Sequence, residues 1–143
     1  MADILHQFPI KASARQVFQA MATPAGLDSW WTKRSIGEPV EGAEYEFWFA
    51  PEYDWRGVVT RCALNQELEW KITLADADWE GTRVGFRLQE QAGVTTVNFY
   101  HRDWPTANEH FRISSYCWAT YLRLLKRYVE QGEVVAYEKR DEA

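Results

Sequence analysis

In the stretch Glu44-Tyr-Glu-Phe-Trp-Phe49 the apolar period is two: Tyr45, Phe47 and Phe49 fall on one face of an extended segment, Glu44, Glu46 and Trp48 on the other. Four runs of the same kind follow, Trp55 to Ala63, Leu68 to Leu74, Gly81 to Glu90 and Val94 to His101. The connectors between them are short and polar or glycine-containing, such as Asn65-Gln66-Glu67 and Gln91-Ala92-Gly93. Connectors this short join antiparallel neighbours, so the middle of the chain reads as a five-strand meander. Leu68, Trp70, Ile72 and Leu74 share a face, as do Val84, Phe86 and Leu88, and Thr95, Val97, Phe99 and His101. The sheet therefore has one strongly apolar face. Trp48 falls on the other, where a large ring needs a cover, either a loop or a second copy of the chain. Gly81 and Gly85 read as a turn and a bulge in the fourth of these strands.

Upstream, Ile4 to Ile10 reads as an opening strand. Ser13 with Gln16 three residues on forms a capping box for a helix running to about Ala22. Thr23-Pro24 repeats the start signal and launches a short second helix ending near Trp30-Trp31. Downstream, Asn108 can cap a long last helix whose stripe Phe111, Ser115, Trp118, Leu122, Leu125 and Val129 keeps helical spacing as far as Gly132. The expectation is an α+β domain over residues 1–136. It comprises a curved antiparallel sheet of about six strands, two short helices and a long C-terminal helix that covers the apolar face and encloses a cavity. Residues 137–143, Tyr-Glu-Lys-Arg-Asp-Glu-Ala, read as a charged, flexible tail.

Composition narrows the function. The 143 residues carry sixteen Lys and Arg against twenty-one Asp and Glu, a net charge of -5, which offers no basic field for nucleic acid. Residues 1–10 lack a basic leader followed by an apolar run, and nothing reads as a membrane span, so a cytoplasmic protein is expected. Cys62 and Cys117 have neither metal nor redox spacing, and the three histidines form no His-x-x-x-His or His-Glu-x-x-His pair. Neither a metal nor a cofactor is expected. Eight Trp, seven Tyr and seven Phe, 15% of the chain, point to large flat surfaces that can line a cavity as well as fill one.

In their order and spacing, Ile10-Lys-Ala-Ser-Ala-Arg-Gln-Val-Phe18, Thr23-Pro-Ala-Gly-Leu-Asp-Ser-Trp-Trp31, Gly42-Ala-Glu-Tyr-Glu-Phe47, Arg56-Gly-Val-Val59, Leu68-Glu-Trp70 and Gly81-Thr82 form a pattern. With Trp118, Leu122, Leu125, Lys126 and Tyr128 on the last helix, it resembles the helix-grip superfamily of START lipid-transfer and birch-pollen-allergen folds (SRPBCC). The branch it resembles most contains the activator of the ninety-kilodalton heat-shock chaperone's ATPase. The resemblance covers nearly the whole chain and implies a helix-grip fold with a cavity between sheet and last helix. Its members include ligand carriers, cyclases and chaperone regulators, so it implies activity poorly.

No nucleophile elbow, phosphate loop or paired acid and base can be assembled, so no catalytic residue is assigned. The first expectation is non-catalytic binding of a hydrophobic, aromatic small molecule by inward-facing Tyr45, Phe47, Phe49, Trp70, Phe86, Phe99, His101, Ser115 and Trp118, with Phe47, Trp70, Phe86, Phe99 and Trp118 bordering one pocket. A protein-interaction module with a partner such as a chaperone, with homodimerisation through the outer face, is the alternative. A cyclase or dehydratase using His101 with Asp103 or a tyrosine is the third. His6 and His110 have no partner by spacing.

Overall fold

The computed structural model describes residues 1–143. The elements run β1 (Ala2–Ile10), α1 (Ala14–Ala22), α2 (Pro24–Trp30), β2 (Arg34–Ile36), β3 (Glu44–Ala50), β4 (Tyr53–Ala63), β5 (Glu67–Leu74), β6 (Arg83–Gln91), β7 (Val94–Trp104) and α3 (Glu109–Gln131), closed by a 3-10 turn at Tyr137–Glu142. One antiparallel sheet has the order β1-β7-β6-β5-β4-β3-β2, and α3 lies across its apolar face in the helix-grip manner.

The caps act where the sequence places them. Ser13 Oγ accepts the Gln16 N–H while the Gln16 side chain accepts the Ser13 N–H. Thr23 closes one helix and opens the next: its hydroxyl donates to Gln19 O at 2.7 Å and accepts the Gly26 N–H at 3.1 Å. Gly132 ends α3 with φ 70°, the left-handed conformation a helix terminus favours in glycine.

The sheet has seven strands, not six. The extra one, β2, is three residues long, too short to display a period, and exists through its pairing to β3, with Arg34 opposite Trp48 and Ser35 opposite Phe47. It also supplies the cover for Trp48, whose ring is half-buried beneath the Arg34 guanidinium, 3.9 Å from the ring centroid. The 3-10 turn corrects the expectation of a frayed tail. Arg140 is 4% exposed, and its guanidinium donates to Asp28 O at 2.7 Å and Thr32 O at 3.0 Å. Carbonyls at the end of α2 have no helical partner and attract this donor, which composition alone could not reveal. Leu74 also departs from its expected face: the β4–β5 register slips beside it, and it is half exposed.

Gly85 marks no bulge, because pairing continues through it to Glu69 on one side and Tyr100 on the other. What it provides is room. A Cβ there would lie 2.6 Å from Tyr100 Oη and 2.8 Å from Leu68 O. The Tyr100 ring crosses the glycine on the outer face and its hydroxyl donates to Glu69 Oε2 at 2.5 Å, while Thr60 donates to Glu69 Oε1 at 2.7 Å. Burial, then the bond to Glu69, pushes the Tyr100 phenol up. Gly85→Ala should lower the unfolding free energy by about 1–3 kcal/mol, read as an earlier urea midpoint at unchanged slope, because the new carbon meets a backbone carbonyl as well as a ring.

Candidate functional site

Where the meander meets the first turns of α3, large rings converge. Five of them form a closed circuit, each contacting the next: Trp31 to Phe49 at 5.5 Å, Phe49 to Trp55 at 5.1 Å, Trp55 to Trp79 at 4.7 Å, Trp79 to Trp118 at 5.8 Å, and Trp118 back to Trp31 at 4.9 Å between centroids. They come from the end of α2, the β3–β4 hairpin, the β5–β6 loop and α3, so the circuit ties four segments together. It floors a cleft of about 300 Å³ that opens to solvent. The rim carries Tyr53, Asp76, His110, Ile113, Cys117, Tyr121 and Tyr137, with the Ser114 hydroxyl below. Most of the lining is aromatic or aliphatic, and Asp76, His110, Ser114 and the tyrosine hydroxyls are the polar groups that can orient a guest.

His101 lies behind that floor and is fully buried. Trp118 Nε1–H donates to His101 Nδ1 at 3.1 Å, so the proton resides on Nε2, which lies 2.8 Å from Thr82 Oγ1; that hydroxyl in turn donates to Trp79 O at 2.5 Å. The chain of donors fixes one uncharged tautomer. Burial, reinforced by the nearby His110, pushes the imidazolium pKa down to about 3. Both ring nitrogens are engaged within the protein, so His101 has neither a free atom for a guest nor the exposure a proton carrier needs. The expected ligand contact is a packing residue.

The other expected site residues separate into two groups. Phe49 and Trp118 line the cleft. Tyr45, Phe47, Trp70 and Phe86 do not: they are buried in the core, where Trp70 meets Tyr45 at 5.2 Å and Phe47 at 5.3 Å, and Phe86 meets Phe18 of α1 at 6.1 Å. Phe99 packs on Trp118 at 4.6 Å and, on its other side, near His6. The five rings expected around one pocket thus all face inward, and they fill the space between sheet and helix. Ser115 faces His6 of β1 at 3.4 Å; the serine in the cleft is its neighbour Ser114, whose hydroxyl accepts the Trp79 Nε1–H at 3.4 Å. His110, unpaired by spacing, is paired in space, with Nδ1 3.0 Å from Asp78 Oδ2. Spacing missed Trp55, Trp79, Asp78 and His110; the one available signal was a tryptophan in the polar run Asp76-Ala-Asp-Trp-Glu80.

The family of Activator of Hsp90 ATPase homolog 1-like proteins matches residues 11–130, and the chain belongs to it. Among solved structures, the Aha1 dimer from Colwellia psychrerythraea is similar over 93% of this chain and 99% of that one, at 30% identity and a TM-score of 0.83. SSP2350 from Staphylococcus saprophyticus aligns over 94% of this chain and 96% of its own at 18% identity and 0.79. CalU16 from Micromonospora echinospora aligns over 98% and 83%, at 19% identity and 0.71. The last two establish likeness of fold alone. No protein of curated function matches the sequence.

The His101 network has a pH signature. Its pKa is lower folded than unfolded, so between pH 6.5 and about 3 the unfolded chain binds the extra proton, and the stability this residue contributes is complete above 6.5 and lost as pH falls. In chemical denaturation across pH 7.5 to 4, the stability advantage of wild type over His101→Gln should shrink with acidification, at a slope approaching one proton, about 1.4 kcal/mol per pH unit.

Proposed function

We propose that this protein binds a small, flat, hydrophobic aromatic molecule in the cleft beside the first turns of α3, without transforming it. The observation that carries this reading is the circuit of five rings. Aromatic faces and edges are left facing a concave space of about 300 Å³, at the low end of the ~300–1,000 Å³ usual for ligand pockets. Such a space suits roughly two or three fused rings. The space beneath the middle of α3 is occupied by the protein's own side chains, which moves the binding reading from the interior to this end of the grip. His101, the one histidine behind the floor, has both ring nitrogens engaged within the protein, which supports binding rather than turnover.

A second reading has its own support. Tyr116 is 77% exposed and Ile113 53%, both on the outer side of α3 next to the cleft. The similar Aha1 from Colwellia psychrerythraea was solved as a dimer. Surface of this kind suits docking on a protein partner, a chaperone or a second copy. The two readings separate experimentally.

Naphthalene-sized aromatics should quench the intrinsic tryptophan fluorescence saturably and raise the melting temperature, because a ligand that binds only the folded state stabilises it by mass action. Cys117→Arg, which puts a bulky charge on the rim, should abolish the quench without lowering stability by more than about 0.5 kcal/mol. A flat titration and thermal-shift screen, together with a concentration-dependent dimer in light scattering, would favour the docking reading instead.

A further inference from the structure

The two histidines near the cleft differ in one respect. His101 has both nitrogens occupied, whereas His110 makes a single hydrogen bond, through Nδ1, and its ring is half-buried on the cleft rim. The partner of Nδ1 is the Asp78 carboxylate at 3.0 Å, which can only accept, so Nδ1 carries a proton. In the uncharged ring Nε2 is then a lone-pair acceptor. Asp78 is itself held, because Asn108, the N-cap of α3, approaches the same oxygen with its amide nitrogen at 3.5 Å. The imidazole and the Trp104 indole pack perpendicular to one another, centroids 5.5 Å apart at 89°. Its tautomer and its plane are therefore both set by neighbours, as an acceptor needs if it is to select a guest.

Resting on the reading of the cleft as a ligand site, the geometry points to hydroxylated aromatics as the ligand class, the phenolic hydroxyl donating to His110 Nε2 while the rings lie on the aromatic floor. Asp78 is a positioning residue: it touches no ligand and acts through the imidazole. Asp76, Ser114 and three tyrosines also bring oxygen atoms to the lining, but His110 is the lining nitrogen acceptor whose tautomer a carboxylate fixes, and a guest that cannot satisfy it leaves it unpaired.

The test compares 2-naphthol with naphthalene by tryptophan quenching and calorimetry on wild type, His110→Phe and Asp78→Asn, each verified as folded by near-ultraviolet circular dichroism. Wild type should bind 2-naphthol about 3- to 10-fold more tightly than naphthalene. His110→Phe should erase that preference while naphthalene affinity stays within about twofold, and Asp78→Asn, which keeps the imidazole but frees its orientation, should reduce it. A purely structural pair would alter stability and leave the ratio of the two affinities unmoved. Equal affinities in wild type, or a preference that survives in His110→Phe, would overturn the assignment while leaving the cleft a ligand site. Failure of naphthalene itself to bind wild type would remove the ligand-site reading, and this inference with it.

Discussion

The grip of α3 on the sheet runs through one indole. Trp118 is 2% exposed and meets Trp31 from α2, Phe99 from β7, and Trp79 from the β5–β6 loop, while its N–H is spent on His101. Few side chains could hold both a helix and a loop against a sheet with a single hydrogen bond, and this one works because the imidazole opposite carries no charge. A protonated His101 would present a donor to a donor and leave a charge among three tryptophans, Trp79, Trp104 and Trp118. That neutral contact joins α3, the floor of the cleft and β7 at one point, beside the packing of Leu122 and Leu125 further along the helix.

How much of this was legible in the sequence depends on what each signal encodes. Periodicity records which way a side chain faces, and every ring assigned inward by parity from Tyr45 to Trp118 does face inward. It does not record how far apart two facing layers stand. Whether Phe47, Trp70 and Phe86 line a space or fill it is decided by sheet curvature and by α1, which carries Phe18 onto Phe86. Capping was fully legible at Ser13, Thr23 and Asn108 because a cap is a contact between residues three apart. The site was hardly legible, since Asp78 and His110 are thirty-two positions apart and Trp79 lies in a loop with no period. Arg140 illustrates the same limit, as its partners Thr32 and Asp28 lie more than a hundred residues away.

The outer surface is managed differently from the inner one. Inside, rings pack on rings; on the outer face of the sheet, Trp48 and Tyr100 are covered by arginines. Arg34 lies over Trp48, and Arg102 lies over Tyr100 with its guanidinium carbon 4.1 Å from the centroid. Arg56 joins Asp54 and Glu46 across the β3–β4 hairpin. A guanidinium can stack on an aromatic face while staying hydrated at its rim, so a strand may carry a large ring outward without presenting it bare to another sheet.

The placing of β1 beside β7 has a consequence for how the chain is made. β1 is synthesised first, yet its one strand neighbour is β7, with Ala2 opposite Trp104 and Ile10 opposite Thr95. On a ribosome the hairpins from β3 to β7 can zip as they emerge, whereas β1 waits through more than eighty further residues with Ile4 and Ile10 uncovered. Pairing β1 with β7 closes a loop between distant parts of the chain, a step whose entropy cost favours nearer pairings before it. Pro9, which offers no N–H, and Lys126 of α3, which donates to the Pro9 carbonyl, leave that strand's outer edge poorly suited to pairing with a stranger. Proline acts as soon as the strand is made and lysine only once α3 has followed it, so the strand's protection is assembled in the order in which it is exposed.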